Sequence, residues 1–93
     1  EEEFEYLGDD TPAGKAWADV LKVLREEMPK ASFETWVRDT RVVEYQEKEG
    51  WLVVGARNSY SADWLTSRLS ETCTRILSNR LGRDIRVRFI VVE

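Results

Sequence analysis

The spacing of apolar residues changes several times along the chain, and Pro29 marks the sharpest of these changes. Before Pro29, apolar residues recur every three or four positions from Trp17 to Met28, which is the period of one helix face. Thr11 can cap such a helix and Pro12 suits its first position, while Pro29 ends it. A first helix is therefore predicted to begin at about Pro12.

The stretch after Pro29, KASFETWVRDT, is too short for a stable isolated helix, yet it contains two large aromatic residues. Ser32 is predicted to be the N-cap of a second helix over about residues 33–38. Phe33 and Trp36 lie three positions apart and share one helix face, so burial of both rings is predicted to hold this turn in place. Its polar residues are then left on or near the surface: Ser32, Glu34, Thr35 and Arg38.

Two strand-like segments come next. Residues 41–46 combine β-branched and aromatic side chains, and residues 51–56 are almost entirely apolar. The polar stretch between them, residues 47–50, ends in glycine and is typical of a hairpin loop. These segments predict an antiparallel pair of strands.

A long helix and a last strand complete the predicted order. Asn58 or Ser59 can cap the helix, which is expected to run to about Leu81 and to stop at Gly82. Residues 85–92 alternate and then become fully apolar, which predicts a strand paired inside a sheet. The predicted fold class is α+β, with the element order α-α-β-β-α-β.

The acidic residues are concentrated at one end of the chain. The net charge is −4, but six of the eighteen acids lie in the first ten residues, which contain no base. The remainder carries 14 bases against 12 acids. Residues 1–11 are predicted to be a flexible acidic leader or linker, unless their apolar side chains dock onto the body, and residues 12–93 are predicted to form the folded domain.

Residues able to catalyse a reaction or hold a metal are scarce. The chain has no His and one Cys, and Cys73 lies on the apolar face of the third helix, where a core role is expected. No Cys/His cluster can bind zinc and no acidic run matches a calcium loop. No enzymatic activity, cofactor, metal or small-molecule substrate is therefore expected. The single Cys and the lack of a long apolar run predict a cytoplasmic chain without a membrane partner.

Three short motifs remain to be explained: AWADVL at residues 16–21, SFETW at residues 32–36 and NSYSADWL at residues 58–65. In this order and at this spacing, they resemble the N-terminal domain (domain I) of the bacterial replication initiator DnaA. The resemblance extends over about residues 16–92. It implies a KH-like fold, in which a three-stranded sheet packs against helices, and a docking domain rather than a catalyst.

The resemblance also implies two sets of binding residues. Weak self-association would involve helix one, with Trp17 at the position concerned, although Trp17 also lies within the apolar face and burial in the core is the alternative. The replicative helicase or an initiation regulator would bind a surface made by helices two and three. The residues implied on that surface are Ser32, Thr35, Trp36, Asn58, Tyr60 and Ser61.

Two positions near helix three differ from the usual family pattern. Tyr60 stands where the family usually has Phe, so it keeps an aromatic contact suited to binding; the alternative is that it only staples the start of the helix. Arg57 replaces the Pro that usually precedes Asn58, so a less rigid entry to helix three is expected. Trp36 is expected to be mainly core, with an edge at the surface.

A second hypothesis is a weak single-stranded nucleic-acid-binding module. Five arginines in the C-terminal third would carry it: Arg75, Arg80, Arg83, Arg86 and Arg88. So mild an excess of positive charge supports only weak, salt-sensitive contact with nucleic acid. The alternative is that these arginines simply form a solvated surface. The chain also lacks the Gly-x-x-Gly that KH modules use to clamp a nucleic-acid backbone. A structural spacer with no partner is a third possibility.

Overall fold

A computed structural model of the protein describes residues 11–92. The first helix, α1 (Pro12–Glu27), begins as the sequence predicts, because Thr11 Oγ1 accepts a hydrogen bond from the Gly14 N–H at 3.0 Å. Met28 closes the helix by donating its N–H to the Leu24 carbonyl at 2.9 Å. The predicted acidic leader lies almost wholly outside the described residues.

The second helical segment begins three residues earlier than predicted. α2 (Lys30–Ser32) continues directly into a π-helical turn over Phe33–Val37, which we call the π-turn. The Arg38 N–H bonds to the Phe33 carbonyl, five residues back, at 3.0 Å. The N-cap role predicted for Ser32 is wrong, because Ser32 has helical backbone angles and its side chain caps no N–H. Pro29 precedes the segment instead, since its fixed φ suits a helix start.

In the part of the chain that the structure describes, three strands form one mixed sheet in the order β1-β2-β3. β1 (Arg41–Gln46) and β2 (Trp51–Ala56) are the antiparallel hairpin that the sequence predicts around residues 47–50. β3 (Arg86–Val91) pairs with β2 in parallel, and α3 (Ser59–Leu81) connects these two strands. The predicted α+β class and the predicted order of elements are confirmed.

The position of β3 differs from the prediction. In the described part of the chain β3 is an edge strand, because β1 already occupies the other side of β2. The apolar end of β3 is accordingly only partly covered, with Ile90 half-buried and Val91 38% exposed. The strand paired on both sides is β2, whose residues from Leu52 to Ala56 are all buried.

Both ends of α3 are held by the residues that the sequence indicates. The Asn58 side-chain oxygen accepts a hydrogen bond from the Ser61 N–H at 2.8 Å. At the other end, Gly82 has a left-handed φ of 70° and donates its N–H to the Ser78 carbonyl at 2.9 Å. Glycine adopts this conformation without steric cost, so the helix stops there.

The core lies between one face of the sheet and the two long helices. Its most buried side chains include Leu52 and Val54 of β2, Leu65, Cys73 and Leu77 of α3, and Val20 of α1. Burial raises the pKa of the Cys73 thiol to about 12, so this group is protonated and serves as a core residue. Within residues 11–92, no helix is long and apolar enough to span a membrane, and no cluster of His, Cys, Asp and Glu could hold a metal.

Candidate protein-interaction site

Three aromatic side chains from the π-turn and α3 pack together at the surface. Trp36 stacks on Trp64 with ring centroids 4.8 Å apart and planes 7° from parallel. Tyr60 meets Trp36 edge to face, with centroids 5.3 Å apart and an interplanar angle of 62°. We call Trp36, Tyr60 and Trp64 the aromatic cluster. It links the core to the solvent, since both tryptophans pack against the core while Tyr60 is 73% exposed.

The start of α3 determines where the Tyr60 ring lies. Tyr60 is the second residue of the helix, and Trp64 follows four positions later, so the two share one helix face. That face meets the π-turn, which supplies Trp36. Tyr60 and Val91 are the large hydrophobic residues that residues 11–92 leave exposed, and Tyr60 is much the more exposed of the two.

Arg57 ties the entry of α3 to the π-turn. Its Nη2 donates a hydrogen bond to the Thr35 carbonyl at 2.6 Å, and its Nη1 lies 3.7 Å from Asp39 Oδ2. The sequence suggested that an arginine here would loosen the chain before Asn58. In the structure its side chain provides cross-links that a proline could not provide.

The residues predicted to contact a partner differ widely in accessibility. Thr35, Asn58 and Tyr60 are exposed, and Ser32 and Trp36 are half-buried. Ser61 is only 3% exposed, so it has almost no surface with which to contact a partner as predicted. Asn58 also has a structural function, since it caps α3.

Trp17 lies in the core rather than at the surface. It is 3% exposed, and its indole N–H donates a hydrogen bond to Thr40 Oγ1 at 3.1 Å. Its ring also meets Phe89 edge to face at 6.1 Å. Thr40 Oγ1 in turn donates to the Val37 carbonyl at 2.7 Å, so the polar side-chain atoms of Trp17 and Thr40 are both paired. Trp17 is therefore buried in the core, which is the alternative that the sequence left open. Its role in self-association stays a prediction, and no exposed Trp17 ring supports it.

The five arginines of the nucleic-acid hypothesis do not form one surface. Arg75 and Arg80 project from α3, which covers the inner face of the sheet, and Arg80 pairs with Asp19 at 3.4 Å. Arg83 follows that helix and lies 4.0 Å from Glu47.

Arg86 and Arg88 lie on the opposite, outer face of the sheet, because their neighbour Val87 points into the core. Each guanidinium lies 5.6 Å from the centroid of the Trp51 ring. Trp51 is half-buried and pairs with Arg86 in the sheet register. Sequence reasoning missed Trp51 in this role, since only the register brings its ring next to the two arginines.

A family model described as the DnaA N-terminal domain matches residues 14–79 of the 93-residue chain. The chain belongs to the DnaA N-terminal domain family. The match includes all three residues of the aromatic cluster and ends before β3. Membership identifies a replication-initiator type of N-terminal domain, which serves protein interaction rather than catalysis.

Proposed function

We propose that this domain captures the replicative helicase or a regulator of initiation through the aromatic cluster, with Tyr60 as the principal contact. The observation that carries the proposal is an aromatic ring that is 73% exposed yet held edge-on against Trp36. Such partners act in the cytoplasm, which is the location that the sequence predicts.

The support beneath Tyr60 makes its ring suitable for binding. Trp36 and Trp64 are stacked and packed against the core, so the surface of the cluster is largely preorganised. Preorganised side chains lose less conformational entropy when a partner binds. Aromatic residues surrounded by polar groups are frequent hot spots, and here Asn58 and Thr35 are exposed nearby in sequence.

Replacing Tyr60 by alanine tests the proposal. We expect Tyr60→Ala to weaken binding of the 93-residue chain to purified replicative helicase by about tenfold or more, since a hot-spot side chain contributes roughly 2 kcal/mol. Tyr60→Phe should bind like the wild type if the ring carries the contact. The free energy of unfolding of both variants should stay within about 0.5 kcal/mol of the wild type because the side chain is exposed.

Val91→Ala provides the matched control, since Val91 is the other exposed large hydrophobic residue among residues 11–92 and lies at the end of β3. It should leave binding unchanged. Equal affinity of Tyr60→Ala and wild type for the helicase and for a regulator would contradict the proposed role of the cluster.

Weak self-association is the second part of the proposal, and it would use the exposed side of α1 rather than the buried Trp17 ring. Ala18 is exposed and next to Trp17 on this helix. We expect Ala18→Arg to lower the dimer fraction measured by sedimentation equilibrium while the thermal unfolding midpoint changes little. A dimer fraction that this variant leaves intact would place the contact elsewhere.

Weak binding of single-stranded nucleic acid is the alternative function, and the outer sheet face favours it. An aromatic ring flanked by two arginines offers a stacking surface and cationic contacts for a phosphate backbone. Binding of oligodeoxythymidine should then fall steeply between two salt concentrations, and the double variant Arg86→Ala/Arg88→Ala should lose more affinity than Arg75→Ala/Arg80→Ala. Absence of binding at low salt would eliminate this alternative.

A further inference from the structure

An open cleft lies where the end of α1 meets α2 and the π-turn. Its volume is about 400 Å³, and its lining residues are Arg25, Lys30, Phe33, Glu34 and Arg38. None of them belongs to the aromatic cluster. The cleft is therefore a separate feature of the surface, and neither the family match nor the proposed function assigns a role to it.

The charges around this cleft are strongly unbalanced. Three cations and one carboxylate line it. Within residues 11–92, Arg25 and Lys30 have no carboxylate within the 4.0 Å of an ion pair. Arg38 has a contact with Asp39 at 3.5 Å, but both side chains are about half exposed, so the charge remains available.

Phe33 is the apolar residue of the cleft lining. It contributes only a small surface, because Phe33 is 4% exposed and the guanidinium of Arg25 lies 5.4 Å from its ring centroid. The methylene groups of Arg25, Lys30 and Arg38 can extend this apolar surface while their charged ends face water. An apolar pocket rimmed by cations results.

We propose that the cleft binds an acidic segment of a protein partner, with one apolar side chain of that segment seated against this apolar surface and neighbouring carboxylates paired with Arg25, Lys30 and Arg38. Charge complementarity carries the choice of ligand. The volume is near the lower end of ligand pockets, which suits one or two side chains of a peptide. The cleft shares the π-turn with the aromatic cluster but none of the cluster's residues.

A peptide fits these residues better than a nucleic acid does. Base stacking needs an accessible ring face, whereas Phe33 is only 4% exposed. A peptide also offers backbone N–H groups, from which the Glu34 carboxylate can accept a hydrogen bond, whereas a phosphodiester backbone has no such donor.

Fluorescence anisotropy with the 93-residue chain and a labelled peptide, Asp-Glu-Leu-Asp-Glu, tests the proposal. We expect saturable binding that weakens with salt, and a loss of about tenfold or more in the double variant Arg25→Ala/Lys30→Ala. Arg68→Ala is the matched control, because Arg68 is an exposed arginine of α3 outside the cleft. Circular dichroism and the thermal midpoint check that each variant stays folded.

Tyr60→Ala separates this proposal from the proposed function. It should keep its affinity for the acidic peptide while losing affinity for the helicase. Arg25→Ala/Lys30→Ala should instead lose its affinity for the peptide. Failure of one proposal therefore leaves the other open to an independent result.

Several outcomes would overturn the assignment. They are equal binding of the neutral peptide Asn-Gln-Leu-Asn-Gln, unchanged binding by the double variant, and tighter binding of oligodeoxythymidine to the cleft. The chain's own acidic residues are a further candidate, since Phe4 lies among four glutamates. NMR spectra without added peptide test this candidate. If neutralising those glutamates shifts the amide signals of Lys30 and Glu34, the cleft binds this segment instead of a partner.

Discussion

Trp17 and Trp36 both come from helical segments that the sequence marks for partner binding, but the structure uses them in different ways. Trp17 is 3% exposed, and its N–H is paired with Thr40. Trp36 is half-buried, stacks on Trp64 and supports the exposed ring of Tyr60. The first contributes to the core, whereas the second connects the core to a surface side chain.

This difference shows that an aromatic residue can serve binding without being the contact itself. The stacked pair Trp36 and Trp64 restricts the motion of the Tyr60 ring, so this ring loses less conformational entropy when a partner binds. A fully buried ring with a satisfied N–H has no free surface to offer. Substitutions in the Trp17 region should therefore change stability, and those near the aromatic cluster should change binding.

The largest effect is expected from Trp17→Ala. Removing a buried tryptophan leaves a cavity between α1 and the sheet, and such changes lower the free energy of unfolding by about 3–5 kcal/mol. Urea unfolding measures this loss, and Trp51→Ala, on the outer sheet face, should cost clearly less. A loss below about 1 kcal/mol for Trp17→Ala would remove the distinction between the two tryptophan sites.

High pH should destabilise the core region through Cys73. Its pKa in the folded chain is about 12, above the ordinary value of 9.0. The thiol therefore contributes its full stability below pH 9 and loses it as the pH rises towards 12, by about 3 kcal/mol at pH 11. Cys73→Ala should show a smaller decrease in unfolding free energy between pH 9 and pH 11; identical decreases would contradict burial of the thiol.

A smaller effect is expected from Thr40→Val, which keeps the shape of the side chain but removes the hydroxyl group. The indole N–H of Trp17 is then buried without an acceptor, which costs about 1–3 kcal/mol. Thr40→Ser should recover most of this stability. Thr35→Val is the matched surface control and should stay within about 0.5 kcal/mol, because Thr35 is exposed and Arg57 contacts only its carbonyl. Equal losses in the two valine variants would refute the role of the hydrogen bond.

The smallest change in stability is expected from Arg57→Ala. Its contacts with Thr35 and Asp39 are solvent-exposed, so their loss should cost no more than about 1 kcal/mol. Partner binding should nevertheless weaken several-fold, because the π-turn and α3 lose a cross-link beside the aromatic cluster. Arg68→Ala should alter neither quantity, and unchanged helicase affinity in Arg57→Ala would show that the cluster does not need this cross-link.

Much of the secondary structure could be predicted because its limits depend on local chemistry. Thr11 and Pro12 start α1, Asn58 caps α3, and Gly82 ends it with a left-handed φ that suits glycine. The polar loop at residues 47–50 likewise separates two strands that the sequence delimits correctly. Ser32 is the exception, since helical backbone continues through it from Pro29 into the π-turn.

The candidate site was predictable only in part. Membership of the family brought Thr35, Trp36 and Tyr60 into consideration, and two of these, Thr35 and Tyr60, are exposed. The cross-link made by Arg57 and the pairing of Trp51 with two arginines could not be inferred, because each joins residues distant in sequence.

The sequence by itself determined the order of the elements, most of their limits and the family to which the chain belongs. Only the tertiary structure decided that Trp17 is buried, that β3 lies at an edge of the described sheet, and that three cations line one cleft with Phe33. The physical reason is that apolar periodicity shows which face of a helix or strand avoids water, but not which element covers it. Exposure, and with it the capacity to bind, depends on how those faces meet.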